Sequence, residues 1–266
     1  MSIRLLLKSV TPPLISDWVR KVIQNKYFIR GFKSWDAALK KSSSYNTEEV
    51  FNKTVDSARL VRDGEAIYER DSVIFDEIQY DWQLLTSLLF VASVENRLNI
   101  VDFGGALGTS YRQNKKYLDE IPTSVKWGII EQSEFVNIGR NEFQTDVLYF
   151  YDSLTSIDFD VDIVLMASSI CYLESPYTVL DEIKTLKPKF ILIVRTPFSN
   201  FQNDEISLQI VPNHIYSASY PIWTFSESNF TTYLSDMYEV FNHWEDGLQA
   251  DPNATAKGIL FKLISC

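Results

Sequence analysis

The chain has 266 residues, of which 45% are hydrophobic and 23% charged, so a disordered or collagen-like protein is excluded and a large core can form. Two cysteines and two histidines exclude a disulfide framework and predict no zinc or other metal site. The net charge of −10 argues against a nucleic-acid partner. The charge is uneven, since residues 1–41 carry +7 and the remainder −17, which favours an anionic partner near the N-terminus.

The first predicted element is an amphipathic helix over residues 14–23, which follows the start signal of Pro12 and Pro13. Its apolar stripe fits two interpretations. It either packs on its own domain, or it lies on an anionic membrane surface anchored by Trp18. No apolar run reaches the length of a spanning helix. We therefore expect a cytoplasmic protein and keep peripheral contact with the inner membrane as an alternative.

Three helices are predicted next, over residues 35–41, 47–59 and 71–92. The longest has apolar residues at helical spacing from Val73 to Leu89. No strand signal precedes residue 95. Residues 1–95 are therefore predicted to form an all-helical cap.

From residue 96 the pattern changes to short apolar runs that alternate with helical stretches. Strands are predicted at 98–103, 125–131, 147–151, 162–167 and 190–195, with helices at 110–119, 133–142 and 175–184. A polar and aromatic insertion at about 197–225 comes before a helix at 226–236 and two strands at 238–244 and 258–264. Alternation of this kind indicates an α/β fold with a parallel sheet. We predict that residues 96–266 form a doubly wound, Rossmann-like, seven-stranded sheet whose last strand is antiparallel.

The candidate ligand site follows the first strand of this predicted sheet. Asp102 ends the strand, the glycine-rich loop Gly104–Gly108 leads into a helix, and Glu131 ends the next strand. In doubly wound sheets ligands bind beyond the carboxyl ends of the strands. One carboxylate can accept from an ammonium and the other from a ribose, a combination that describes S-adenosylmethionine. A dinucleotide site needs a glycine where Phe103 stands, and Asp102 would repel a pyrophosphate.

Further candidates follow the later strands. Asp152 is expected to meet an adenine amino group or to cap a helix, and Ser168 to line the methionine side or to satisfy backbone groups. For catalysis, Arg195 is a candidate that alternatively forms an ion pair with the cap. His214 is a candidate base or a surface residue of the insertion. Tyr68 lies just before the predicted helix 71–92 and could form part of a lid over the acceptor.

Several blocks resemble one family. They are DFGGALGTSY at 102–111, YERDSV at 68–73, WGIIEQ at 127–132, SSICYLESP at 168–176 and IYSASYPIWTF at 215–225. Together they resemble methyltransferases encoded in bacterial O-antigen and capsule biosynthesis clusters. The resemblance implies a class I S-adenosylmethionine-dependent fold. The expected cofactor contacts are Asp102, Gly104, Gly105, Ala106, Gly108, Glu131, Gln132, Asp152 and Ser168.

The resulting hypothesis is an O-methyltransferase that modifies a surface polysaccharide or its activated or phosphorylated precursor. Two alternatives stay open at this point. One is an NAD-dependent nucleotide-sugar epimerase or dehydrogenase, and the other is a non-catalytic assembly protein that binds cofactor or glycan. The sequence does not define the oligomeric state.

Overall fold

The computed structural model describes residues 27–42, 47–211, 218–246 and 253–264. Its α-helices are α1 (Trp35–Leu39), α2 (Thr47–Arg62), α3 (Trp82–Glu95), α4 (Thr109–Leu118), α5 (Ser133–Ile138), α6 (Pro176–Leu186) and α7 (Glu227–Leu234). Its strands are β1 (Phe28–Phe32), β2 (Tyr68–Arg70), β3 (Val73–Phe75), β4 (Leu98–Phe103), β5 (Val125–Ile130), β6 (Leu148–Tyr151), β7 (Ile163–Ala167), β8 (Phe190–Ser199), β9 (Glu205–Ile210), β10 (Ser219–Ser226), β11 (Tyr238–Glu245) and β12 (Thr255–Leu263). The predicted helix over residues 14–23 lies outside the described residues.

Seven strands form the predicted doubly wound sheet, in the order β6-β5-β4-β7-β8-β12-β11. Strands β4 to β8 pair in parallel, and β12 is antiparallel to both of its neighbours. The central strands β4, β7 and β8 are almost wholly buried, because helices cover both faces, and this explains their continuous apolar runs. The predicted fold class and antiparallel last strand are confirmed.

The sheet is larger than predicted, because three more strands extend it beside β8. Strands β9 and β10 form an antiparallel hairpin, and β1 pairs with β9. The hairpin joins the sheet where Phe225 and Ser226 pair in parallel with Phe198 and Ser199 at the end of β8. The predicted insertion at 197–225 is therefore largely strand.

The prediction of an all-helical N-terminal region is wrong. Residues 28–32 form β1, and β2 and β3 form a separate hairpin with Arg70 opposite Val73. The predicted helix 71–92 begins only at Trp82, where the Asp81 side chain accepts from the Leu84 amide at 3.0 Å. Asp71 and Ser72 adopt positive φ values of 53° and 65°, which close a two-residue hairpin turn and are incompatible with a helix. The domain boundary near residue 95 stays a prediction.

Two apolar cores lie on opposite faces of the sheet. The first gathers α2, α3 and α4 around residues such as Val55, Leu88 and Trp127. The second packs α6 and α7 on the other face, with Leu180 and Phe230 fully buried. The two cores hold the parallel strands between them. The carboxyl ends of β4, β5 and β7 therefore lie side by side at one edge of the sheet. None of the helices in the described ranges has the length and apolar character needed to cross a bilayer.

Candidate active site

A cleft with two lobes lies at the carboxyl ends of β4, β5 and β7. The larger lobe has a volume of about 780 Å³ and the smaller about 300 Å³. They share the lining residues Arg70, Asp71, Gly104, Glu131, Gln132 and Ala167. The cleft is where doubly wound sheets bind their ligands.

Asp102 lies in the smaller lobe at the end of β4, and only 1% of it is exposed. Its Oδ2 accepts a hydrogen bond from Trp127 Nε1 at 3.1 Å. Its Oδ1 is buried and has no hydrogen-bond partner within the described part of the chain. Burial raises the pKa of Asp102 to about 7, although the Trp127 bond and the charge of Arg195 oppose the rise. An unpartnered buried carboxylate oxygen is costly, so this site favours a cationic donor.

The glycine loop passes directly over this carboxylate. A Cβ added at Gly105 would lie 2.6 Å from Asp102 Cγ, and one at Gly104 would lie 2.6 Å from Ser169 Cβ. Gly104 also has a φ of +74°, which side chains rarely adopt. The loop therefore needs glycine at both positions, and its backbone can approach a ligand closely. Ala106 and Gly108, also predicted contacts, lie in the same loop at positive φ.

Glu131 follows β5 and contacts the glycine loop directly. Its Oε1 accepts from the Ala106 amide at 3.2 Å and its Oε2 from the Gln132 amide at 3.0 Å. Burial raises the pKa of Glu131, and the two amide bonds oppose the rise. Because a carboxylate oxygen can accept more than one hydrogen bond, both oxygens remain able to accept from a diol.

Asp152 and Ser168 both line the larger lobe. Asp152 Oδ1 accepts from the Ser156 hydroxyl at 2.9 Å and from the Ser153 hydroxyl at 3.3 Å, and these bonds lower the pKa of Asp152. Ser168 has a φ of 60°, and its hydroxyl accepts from Arg195 Nε at 3.1 Å. Asp152 thus holds the turn after β6 and also faces the cleft.

Arg195 lies inside β8 and not at its end as predicted, because the strand continues to Ser199. Its φ of 52° marks a kink in the strand. Its backbone amide donates to Asp246 at 2.6 Å, and its guanidinium lies 3.8 Å from the Asp81 carboxylate. It also lines the smaller lobe. Arg195 therefore forms the predicted ion pair with the N-terminal region, through Asp81. It also lies at the candidate site, as predicted.

The other two catalytic candidates are not brought to the cleft by the structure. Tyr68 is 3% exposed and packs on Phe75, with ring centroids 5.8 Å apart, and it is not among the described residues that line either lobe. His214 lies outside the described residues. Both roles stay predictions.

The hairpin β2–β3 supplies cleft residues whose placement the sequence prediction missed. Glu69 is 2% exposed, accepts a very short hydrogen bond from the Thr109 hydroxyl, and lies 3.4 Å from the Arg112 guanidinium. Burial raises the pKa of Glu69, opposed by the Thr109 bond and by Arg112. Arg70 and Asp71 line both lobes. The YERDSV block at residues 68–73 is the sequence feature that marks this hairpin, but the apolar spacing after it predicts a helix instead.

The hairpin β9–β10 and the turn after β7 wall the far side of the larger lobe. The Tyr172 hydroxyl donates to Gln209 Oε1 at 3.0 Å, and the Tyr172 and Tyr220 rings meet edge to face at 5.2 Å. Val211 lies beside them. These four residues line only the larger lobe, whereas Asp102 and Gly105 line only the smaller one. The cleft therefore has a small carboxylate end and a large aromatic and polar end.

No family model and no curated protein matches the chain in sequence. Similar solved structures include an S-adenosylmethionine-dependent methyltransferase from Clostridium acetobutylicum, at 11% identity and a TM-score of 0.44 over 70% of this chain and 94% of that one. The 1,6-didemethyltoxoflavin-N1-methyltransferase from Burkholderia thailandensis, with S-adenosylhomocysteine bound, has 11% identity and a TM-score of 0.45 over 84% and 92%. The N-terminal domain of EvdMO1, with S-adenosylhomocysteine and D-fucose, has 11% identity and a TM-score of 0.49 over 83% and 98%. At this identity the similarity concerns the fold.

Proposed function

We propose that the protein is an S-adenosylmethionine-dependent O-methyltransferase that modifies a bacterial surface polysaccharide or its activated or phosphorylated precursor. One observation is its main support. A buried Asp102 carboxylate oxygen without a partner lies beside a glycine loop that leaves no room for a side chain at residue 105. This arrangement fits the ammonium of the cofactor's amino-acid end.

The other predicted contacts suit the rest of the same cofactor. Glu131, on the neighbouring strand end, faces the loop with two oxygens that can accept from a ribose diol. Asp152 lines the larger lobe one strand further along and can accept from an adenine amino group. When bound, S-adenosylmethionine supplies an electrophilic methyl group on a sulfonium. The chain's own residues bind, orient and desolvate the reacting groups.

The larger lobe supports a hydroxyl-bearing acceptor such as a sugar. Tyr172 and Tyr220 offer aromatic faces, and Gln209 and Ser169 offer polar groups beside them. Arg70 contributes a cation that can accommodate a phosphorylated precursor. The resemblance to methyltransferases of polysaccharide clusters supports the same class of acceptor. The sequence, with no apolar run long enough to span a membrane, fits a cytoplasmic enzyme, and the charge of +7 on residues 1–41 fits contact with an anionic membrane surface.

Isothermal titration with S-adenosylhomocysteine and with NAD tests the cofactor. We expect micromolar affinity for S-adenosylhomocysteine in the wild type and in a control, Asp76→Asn, which removes an exposed carboxylate outside the described cleft lining. Asp102→Asn should weaken it by at least tenfold, because a charge-assisted hydrogen bond is lost. Tight binding of NAD alone would instead support the dehydrogenase hypothesis.

Mass spectrometry of the surface glycan tests the acceptor. A deletion strain of the source organism should lose a methyl group, 14 Da, from one glycan species, and the wild-type gene should restore it. If the protein binds S-adenosylhomocysteine but the glycan keeps its mass in the deletion strain, the polysaccharide acceptor is wrong and the cofactor assignment stands. A glycan that disappears altogether would favour a non-catalytic assembly protein.

A further inference from the structure

We propose that Asp71 is the general base that takes the proton from the acceptor hydroxyl. This inference rests on the proposed function and assigns the base, for which the sequence offers His214 as a candidate. Asp71 lines both lobes, so it faces the region between the carboxylate end and the aromatic end of the cleft. The proposed cofactor reaches from Asp102 in the smaller lobe to Asp152 in the larger one, and the proposed acceptor lies at the aromatic end of the larger lobe, so a residue that lines both lobes can lie where the two meet.

Asp71 differs from the other carboxylates of the cleft because no hydrogen-bond donor among the described residues contacts its carboxylate. Five carboxylates line the described parts of the two lobes. Four of them accept at least one hydrogen bond from the protein: Glu69, Asp102, Glu131 and Asp152. Within the described residues, Asp71 has neither a hydrogen bond nor an ion pair. Its carboxylate is therefore available to a hydroxyl, whereas Asp102, Glu131 and Asp152 are assigned to the cofactor and Glu69 is hydrogen-bonded to Thr109.

The turn that bears Asp71 is built to a fixed geometry. Asp71 and Ser72 are the two central residues of the hairpin turn, both at positive φ, an uncommon conformation for residues other than glycine. Two contacts hold the turn in place. The Ser72 hydroxyl is hydrogen-bonded to the Thr54 hydroxyl of α2 at 2.9 Å, and Glu69 is bound to Thr109 at the start of α4. A base held on two sides keeps its position when the acceptor binds.

Both cationic and anionic side chains line the cleft around Asp71. Arg70 and Glu131 line the same two lobes as Asp71, and Arg195 and the buried Glu69 line the smaller one. The negative charge of Asp71 contributes to the raised pKa of Glu69, after the larger effect of burial. In the free protein Asp71 is exposed, and an acceptor seated in the larger lobe would cover it.

In the proposed step the acceptor oxygen forms a bond to the methyl carbon, and the bond between that carbon and the sulfonium sulfur breaks. The bonding pair passes to the sulfur and leaves a neutral thioether. The hydroxyl proton passes to an Asp71 carboxylate oxygen and then to solvent at the rim. The step requires only the sulfonium methyl donor and the hydroxyl acceptor, and charge and atoms balance.

Asp71→Asn is the decisive variant, because asparagine tolerates positive φ well and keeps the size of the side chain but cannot take the proton. Asp76→Asn is the matched control. The acceptor probe is glycan prepared from the deletion strain, incubated with the purified protein and S-adenosylmethionine. We expect Asp71→Asn to keep its Tm, its affinity for S-adenosylhomocysteine and its affinity for this glycan within about twofold. Its turnover should fall about 100-fold or more, a usual contribution of a general base.

Three results would overturn the assignment. Turnover above one third of wild type in Asp71→Asn would show that no proton passes through Asp71. Loss of S-adenosylhomocysteine affinity would make Asp71 a cofactor ligand, and loss of glycan affinity alone would make it an acceptor-binding residue. If the wild type binds neither S-adenosylhomocysteine nor the glycan, the proposed function itself fails, and that result is distinct from all three.

Discussion

Replacing Asp102 with Asn should stabilise the ligand-free protein above neutral pH and weaken its affinity for S-adenosylhomocysteine at least tenfold. The carboxylate is fully buried, with one oxygen unpartnered, so its ionised form is disfavoured in the folded state. Asparagine is close to it in shape and can still accept from the indole of Trp127 through its amide oxygen.

The magnitude follows from the pKa of Asp102, which burial raises from 3.8 to about 7. At 1.36 kcal/mol per pKa unit, the difference amounts to about 4 kcal/mol. Because the folded state holds this proton more tightly than the unfolded chain, the free energy of unfolding falls as pH rises from about 4 to about 7 and then levels off. At pH 8 Asp102→Asn should therefore be up to about 4 kcal/mol more stable than the wild type, and at pH 4 the two should be nearly equal.

The affinity for S-adenosylhomocysteine should rise with pH, whereas the free energy of unfolding falls. If the ligand ammonium requires the ionised carboxylate, a pKa of about 7 leaves roughly a tenth of Asp102 ionised at pH 6 and roughly nine tenths at pH 8. Affinity for S-adenosylhomocysteine should therefore rise roughly tenfold from pH 6 to pH 8 in the wild type. It should be weak and flat in Asp102→Asn.

Urea unfolding at pH 4, 6 and 8 and isothermal titration at pH 6 and 8 measure the two effects. Asp76→Asn serves as the control, and it should follow the wild type in both. The reasoning fails if Asp102→Asn is less stable than the wild type at pH 8. It also fails if wild-type affinity is unchanged between pH 6 and pH 8.

Three further substitutions probe the same region. Gly105→Ala should cost about 1–3 kcal/mol in stability and weaken S-adenosylhomocysteine binding at least tenfold, because the new Cβ would lie 2.6 Å from the Asp102 carboxyl carbon; thermal unfolding and titration measure both. Glu131→Gln should weaken the same binding by about tenfold, since the amide group can accept through only one of its two atoms and leaves one backbone amide unpaired; an unchanged affinity would contradict its role. Arg112→Leu should lower stability by about 3 kcal/mol in urea unfolding, because it leaves the buried Glu69 with a single donor, and the loss should shrink if Glu69→Gln is added.

The strand, loop and strand that form the cofactor end could be predicted from sequence, because several local signals agree there. Residues 98–103 are mostly apolar, with the acid Asp102 next to last, and Gly104 and Gly105 follow at once. A strand buried on both faces needs such a run, and a close backbone approach needs glycine. Asp102 and Glu131 end neighbouring parallel strands and therefore lie at the same edge of the sheet.

The hairpin β2–β3 could not be predicted by the same means. Its turn residues, Asp71 and Ser72, lack the glycine that usually indicates a two-residue turn. Val73, Ile74 and Ile78 happen to continue the apolar spacing of the true helix that begins at Trp82, so the period of 3.6 residues extended falsely across the turn. Besides the pairing of β2 with β3, contacts with residues distant in sequence, such as the hydrogen bond of Ser72 with Thr54 of α2, help to hold this turn in place.

Those same contacts connect the two ends of the cleft. Glu69 accepts from Thr109, the first residue of α4, which follows directly on the glycine loop. Asp71 is only two residues further along the same hairpin. A shift of the glycine loop around the cofactor would therefore be transmitted to the turn that bears the proposed base through one buried hydrogen bond and two residues of backbone. The hairpin is thus part of the candidate active site, and if the proposed function holds, substitutions at Glu69 should affect acceptor chemistry as well as cofactor binding.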